Sequence, residues 1–273
     1  MQTCNIGKTK IGGNERVALM GIINCSPESF FSDSYTHPSQ VYNRAVNLLE
    51  TGADIIDIGA RSTALNAPVI SVHDETDRMK NALRELSGSG ITISIDTMYP
   101  EVLEACLRYD IDAINDIHGL ADPKFGKIVG DCGLPAFLMA AFSKPGDPKG
   151  ISDTITALKG VLKRAEHFGV KEIILDPAIG RWTQERDAAD DWEICTNFSK
   201  FMDFNLPLLI AVSRKSFIGD LLNNSAEERL SASLAVTYSL LEKGGAIVRT
   251  HDVSETRDII KVYEKIKKTG RIV

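Results

Sequence analysis

A chain of 273 residues, 43% hydrophobic and 25% charged, has the size of one barrel of alternating strands and helices and can bury its core without staples. Its formal charge of −6 argues against a nucleic-acid partner, which would need a basic face, and leaves an anionic small ligand open. Five scattered cysteines with no CxxC pair argue against a cysteine-based zinc site and predict reduced thiols in a cytoplasmic protein, while no signal-type or membrane-length apolar run stands in the sequence.

Eight apolar runs rich in Ile, Val and Leu punctuate the chain, at residues 17–24, 54–59, 92–96, 113–117, 135–140, 172–176, 207–212 and 247–250. Continuous apolar runs this short suit strands covered on both faces, the environment of a parallel sheet. Amphipathic stretches lie between them. Residues 39–50 place Val41, Ala45, Leu48 and Leu49 on one helical face, and 99–109 carry Val102, Leu103, Cys106 and Leu107. Residues 152–168 open on Ser152 as a capping residue and stop before Gly169; 226–242 and 254–268 complete the set. Strands alternating with helices imply right-handed βαβ units, and eight of them predict an α/β fold, a (β/α)8 TIM barrel. No linker divides residues 1–273, so a single domain is expected.

The runs end on polar residues, and in a barrel those ends converge on one mouth. Asn24 closes the first run; its amide oxygen suits Mg2+ beside a diphosphate, or it braces the following loop. That loop holds Phe30 and Phe31; Phe31 is a candidate to cover a flat ring, and Phe30 is expected in the core. Asp57, Asp96 and Asp176 end three further runs. A carboxylate there can accept two hydrogen bonds from an amidine-like edge, as a pterin presents, and Asn115 offers both donor and acceptor. Each carboxylate alone could equally cap a helix. Lys215, Arg249 and His251 form a cationic set from the last two runs, where barrels of this kind most often bind phosphate. The bland alternative is that Arg214, Lys215 and Arg249 are solvated surface charges.

At these residues the chain resembles dihydropteroate synthases, with the archaeal branch the nearer pattern. The matching segments run in order: MGIINCSPESF, GADIIDIGARST, ISIDT, AINDI, LMA, IILDPAIG, VSRKSFIG and IVRTHDV. The resemblance implies a transferase that joins p-aminobenzoate or a related arylamine to 7,8-dihydropterin-6-methyl diphosphate and releases pyrophosphate, in folate or methanopterin biosynthesis. It implies a pterin pocket of Asp96, Asn115, Met139, Asp176 and Lys215. Asn24, Arg249 and His251 would hold the diphosphate, with Mg2+ at Asn24, and Asp96, Asp176, Lys215, Arg249 and His251 would carry the chemistry. Thr63 and Ser213 would lie near the arylamine, and a homodimer through the outer helices is implied. The chain departs from the family in its second loop, where Arg61 replaces a Glu and Ala64 an Arg, and at Ala140, which replaces a His. A larger, phosphorylated arylamine would place Arg61 or Arg181 against its phosphate. Two other readings are a pterin-dependent methyltransferase and a pterin-binding protein without catalysis.

Overall fold

The computed structural model describes residues 1–28 and 35–269. The chain opens with an antiparallel hairpin, β1 (Thr3–Ile6) and β2 (Thr9–Gly12). Strands and helices then alternate: β3 (Ala18–Asn24), α1 (Val41–Thr51), β4 (Ile55–Gly59), α2 (Val72–Leu86), β5 (Ile93–Asp96), α3 (Pro100–Cys106), β6 (Ala113–Asp116), α4 (Pro123–Cys132), β7 (Ala136–Met139), α5 (Gly150–Phe168), β8 (Ile173–Asp176) and α6 (Ala188–Thr196). The series ends with β9 (Leu209–Ile210), α7 (Ser216–Leu222), α8 (Leu230–Glu242), β10 (Ile247–Thr250) and α9 (Val253–Thr269).

Each strand from β3 to β7 pairs in parallel with its successor, and β10 lies between β9 and β3. The Leu175 N–H donates to the Pro207 carbonyl at 2.9 Å, and one parallel bridge, Leu175 to Leu208, closes the ring between β8 and β9. This is the (β/α)8 barrel that the alternation predicts, and every one of the eight apolar runs contains a strand.

The helices differ more from expectation. α5 starts at Gly150 behind Lys149, whose side chain makes no capping bond, so Ser152 is not its cap. Residues 99–109 shorten to α3 because Leu107 already closes it. The 226–242 stretch breaks into a single 3-10 turn at Ala226–Glu228 and α8. Helices α2 and α4, outside the amphipathic stretches read from sequence, carry strong start signals: Ser71 and Asp74 form a capping box, and Asp122 accepts from Lys124 N–H and Phe125 N–H ahead of Pro123.

Two apolar regions support the barrel. One lies between strands and helices. The other fills the N-terminal end of the barrel, where Cys4, Ile6 and Ile11 of the hairpin pack on Met20, Ile55, Phe137 and Ile247. All five cysteines are free, and among the described residues no helix is long and apolar enough to cross a membrane.

Candidate active site

Side chains two residues apart on a strand share a face. Met20, Ile55, Ala113, Phe137, Ile174 and Ile247 belong to the apolar fill of the barrel. Counting on by twos along those strands reaches Asn24, Asp57, Asn115, Met139, Asp176 and Arg249. The interior therefore turns from apolar to polar toward the strand C-termini. Register aligns the upper row: Asn24 pairs with Gly59, Gly59 with Asp96, Asp96 with Asn115, and Met139 with Asp176.

The centre of the mouth is a charge cluster. Arg249 donates from Nε to Asp57 Oδ2 at 2.6 Å and from Nη2 to Asp96 Oδ2 at 2.7 Å. Asn115 Nδ2 donates to the same Asp57 oxygen at 3.1 Å. Asp57 is fully buried, and its Oδ1 has no hydrogen-bond partner among the described residues. Arg249 and Asp96 each keep 19% side-chain exposure, which opens the cluster to a ligand on one side. Burial pushes the Asp96 carboxyl up to about 7; Arg249 opposes that, and Asp57 adds to it. Burial works against the Arg249 charge too, but its two carboxylates more than offset this and hold it above the ordinary arginine value.

Asp176 and Lys215 lie on the other side of the mouth. Asp176 Oδ1 accepts from Ala178 N–H at 2.8 Å, and burial raises its carboxyl above the usual range. Lys215 stands at the N-terminus of α7, its Nζ donating to the Ile179 carbonyl and lying 4.6 Å from the Trp182 ring centroid. Burial lowers the ammonium to about 8, with Asp176 and then Asp191 resisting. A buried cation over an indole face, on a carbonyl, is poised to donate.

Ser213 and His251 meet at the ends of β9 and β10. Ser213 Oγ accepts from the His251 backbone N–H at 3.2 Å and lies 3.0 Å from His251 Nδ1. The hydroxyl can donate to Nδ1 or accept from it, according to which ring nitrogen carries the proton. Burial, with Arg249, Arg214, Arg44 and Lys215 nearby, pushes the imidazole down to about 3, so the ring is neutral at pH 7. Arg214, one residue from Lys215, is not solvated. It is 8% exposed, binds Asp252 in a two-pronged pair and donates to the Ala226 and Glu227 carbonyls. None of the three cations is the surface charge of the bland alternative.

The arylamine candidates separate. Ser213 joins the mouth, while Thr63 and Arg181 are exposed. Phe31 lies outside the described residues, as does Phe30. Arg61 is 11% exposed and committed elsewhere: Nε to Glu75 Oε2 at 2.5 Å, Nη1 to the Ile70 carbonyl at 2.8 Å and Nη2 to the Ser71 carbonyl at 3.2 Å. Its guanidinium also covers the Tyr99 ring at 4.7 Å. Instead of facing a ligand phosphate it anchors the second loop to α2. Glu75, 1% exposed, completes that anchor by accepting from Thr97 Oγ1 at 2.7 Å. Sequence reasoning missed Glu75, and it missed the fully buried pair of Arg186 and Asp191 behind Lys215. In the sequence both look like ordinary charges near a helix start.

Residues 20–251 match the model of the family described as pterin binding enzyme. The chain is 34% identical to the dihydropteroate synthase of Escherichia coli strain K12 over 261 residues, covering 90% of each. Among solved structures it resembles the Coxiella burnetii dihydropteroate synthase in complex with pteroic acid, with a TM-score of 0.85, 29% identity and coverage of 98% of this chain and 99% of that one. The Xanthomonas albilineans enzyme with 4-aminobenzoic acid gives a TM-score of 0.81 and 28% identity, with coverage of 93% of this chain and 94% of that one. The family match over residues 20–251, the 34% identical relative covered to 90% and the shared (β/α)8 barrel place this chain in the dihydropteroate synthase family of transferases.

Proposed function

We propose that this chain condenses 7,8-dihydropterin-6-methyl diphosphate with p-aminobenzoate and releases pyrophosphate. The observation that carries the reading is the convergence of Asp57, Asp96, Asn115 and Arg249 into one bonded cluster at the barrel mouth, with Asp176 and Lys215 beside it. Asp176 and Asn115 supply the acceptor and mixed edge that a pterin needs, and the Lys215 ammonium donates to the ring from the side. The pterin ring shares the positive charge that grows on its methylene carbon as the C–O bond breaks, and the carboxylates favour that charge. The arylamine nitrogen forms the new C–N bond and gives up a proton, and pyrophosphate departs. Groups fixed beforehand meet charge where it develops, so no protein nucleophile is needed.

His251, a neutral ring, is read as a donor for the leaving diphosphate, and Arg249 as the nearby cation. We read Mg2+ at Asn24, whose Oδ1 lies 3.8 Å from the point where a Gly59 side chain would begin, so that no side chain of residue 59 fills the space beside that oxygen. Among the described residues no group of three or more His, Cys, Asp or Glu forms a metal cage, and Mg2+ often takes one or two protein oxygens plus phosphates and water. Such an ion would neutralise the departing anion.

We read p-aminobenzoate as the amine rather than a phosphorylated one, because Arg61 is already spent on Glu75. Thr63 and Ser213 remain the arylamine candidates, with Phe31 as a cover. The assembly is read as a homodimer in the cytoplasm; exposed Leu221 and Leu222 on α7 and Val262 and Ile266 on α9 support pairing through outer helices. The test is an assay with dihydropterin diphosphate, Mg2+ and each amine. Dihydropteroate and pyrophosphate in equal amounts are expected. Pterin binding without turnover would favour the non-catalytic reading, and methyl transfer from a methylated pterin the methyltransferase.

A further inference from the structure

Behind the mouth, the turn at residues 177–182 is built around one lysine. Gly180 has φ of +130°, and a Cβ there would stand 2.7 Å from Lys215 Cδ and 2.8 Å from its Nζ. The lysine therefore lies directly on the backbone of that turn, with its ammonium on the Ile179 carbonyl. Trp182, the ring beside the ammonium, is pinned by its own Nε1–H to the Ala178 carbonyl at 3.1 Å. The turn itself is held from beneath by Asp191 of α6, whose Oδ1 accepts from Gly180 N–H at 2.7 Å. The same oxygen accepts from Arg186 Nε at 3.1 Å and Nη2 at 2.7 Å, and neither side chain is exposed. Arg186 Nη1 reaches the carbonyls of Gly146 and Pro148 at 3.3 and 3.2 Å, tying the loop after β7 to the loop after β8. The second Asp191 oxygen, Oδ2, is buried without a hydrogen-bond partner among the described residues.

A buried pair of this kind is an expensive way to brace a loop, since an apolar pair of similar volume would often hold it as well or better. Besides the hydrogen bonds to Gly180, Gly146 and Pro148, an apolar pair would lack a negative charge next to Lys215. We propose that Asp191, held by Arg186, is a positioning residue for the reaction: it fixes the turn on which the Lys215 side chain rests and keeps a carboxylate charge beside the ammonium. This rests on the reading of Lys215 as a pterin donor. The charges that act on Lys215 are Asp176 and Asp191, which favour its protonation, and Arg249 and Arg186, which oppose it. Removing Asp191 takes away one of the two favourable charges and frees Lys215 to lose its proton at lower pH.

The test compares the parent with Asp191→Asn and with the neutral pair Arg186→Gln/Asp191→Asn, in which the amide oxygen still accepts from Gly180 N–H. Trp182 fluorescence, isolated by Trp192→Phe, is followed against pH without substrate. The parent midpoint is expected near pH 8; Asp191→Asn is expected to move it lower, and the neutral pair, which also removes the smaller opposing charge of Arg186, to move it lower by less. The KM for dihydropterin diphosphate is expected to rise about tenfold, the size of one weakened charge-assisted hydrogen bond, with a smaller change in kcat. If Asp191→Asn does not fold, the neutral pair decides. An unmoved midpoint and KM, with only a lower thermal midpoint, overturns the proposal. If the parent turns over no pterin diphosphate, the reaction assigned above fails while the substrate-free midpoint still decides whether Asp191 governs Lys215.

Discussion

The two ends of the barrel are lined by the same strands in opposite chemistry. At the N-terminal end Met20, Ile55, Phe137, Ile174 and Ile247 close over the hairpin residues Cys4, Ile6 and Ile11. Two residues further on, about 6.6 Å along each strand, β4, β8 and β10 present Asp57, Asp176 and Arg249. The apolar end stores stability. The polar end gives some away: Asp57 Oδ1 finds no partner among the described residues, Asp96 is pushed up to about 7 and Lys215 down to about 8. An apolar fill of the mouth would often be at least as stable. On the function proposed above its charges face those of the substrate, and the contrast can be broken by substitution at either end.

The largest effect is expected at Arg249→Ala, which leaves Asp57 and Asp96 without their shared cation. Turnover should fall about 10³-fold, as when a preorganised electrostatic group is removed, and denaturation should show a loss of about 3 kcal/mol, the lower end for a broken buried pair because Arg249 is partly exposed. Unchanged kinetics would remove Arg249 from the chemistry. At the opposite end, Ile11→Ala should cost about 2–4 kcal/mol in the same measurement with kcat of the folded enzyme intact; a matching loss of kcat would erase the distinction between the ends.

A third comparison uses pH. The folded value of Asp96, about 7, lies above its ordinary 3.8, so the native state takes up this proton before the unfolded chain does. Stability from this group is thus full below about pH 4 and is lost as pH rises toward about 7. Against an Asp96→Asn variant, the parent's thermal midpoint should fall through that window; a flat difference would mean that Asp96 ionises normally. The smallest effects belong to the rim. Arg61→Ala should loosen the second loop and raise the KM for the amine a few-fold, as lost uniform binding does, without touching kcat. Arg181→Ala should leave p-aminobenzoate kinetics unchanged, and a selective loss with a phosphorylated amine would reopen the larger substrate.

Much of this was legible before any coordinates. Strands buried on both faces have few polar residues, so β3 to β10 stood out as apolar runs, and carboxylates at their ends had no packing reason to be there. Helix starts were harder. The Ser152 reading failed because Gly150, with φ of +57°, already begins α5 behind Lys149, and a local capping pattern cannot see that. Arg214 and Lys215 were the least separable. The positive φ of Arg214, +56°, sends one side chain to Asp252 and the next to the mouth. Arg61 looked like a rim cation until Glu75 was found beneath it.

Which side of a strand each residue occupies follows from alternation, a property of the chain alone, so the sequence determined the barrel, its apolar end and the candidates at its mouth. Which candidates touch is a matter of ring closure and register. Arg249 meets Asp57 across 192 residues of chain and Asp96 across 153, because β10 returns beside β3 and points its guanidinium across the lumen. Only the tertiary structure could decide that these charges share one site while Arg61, Arg186 and Arg214 brace the loops around it, because burial and partner choice depend on what the rest of the fold brings near.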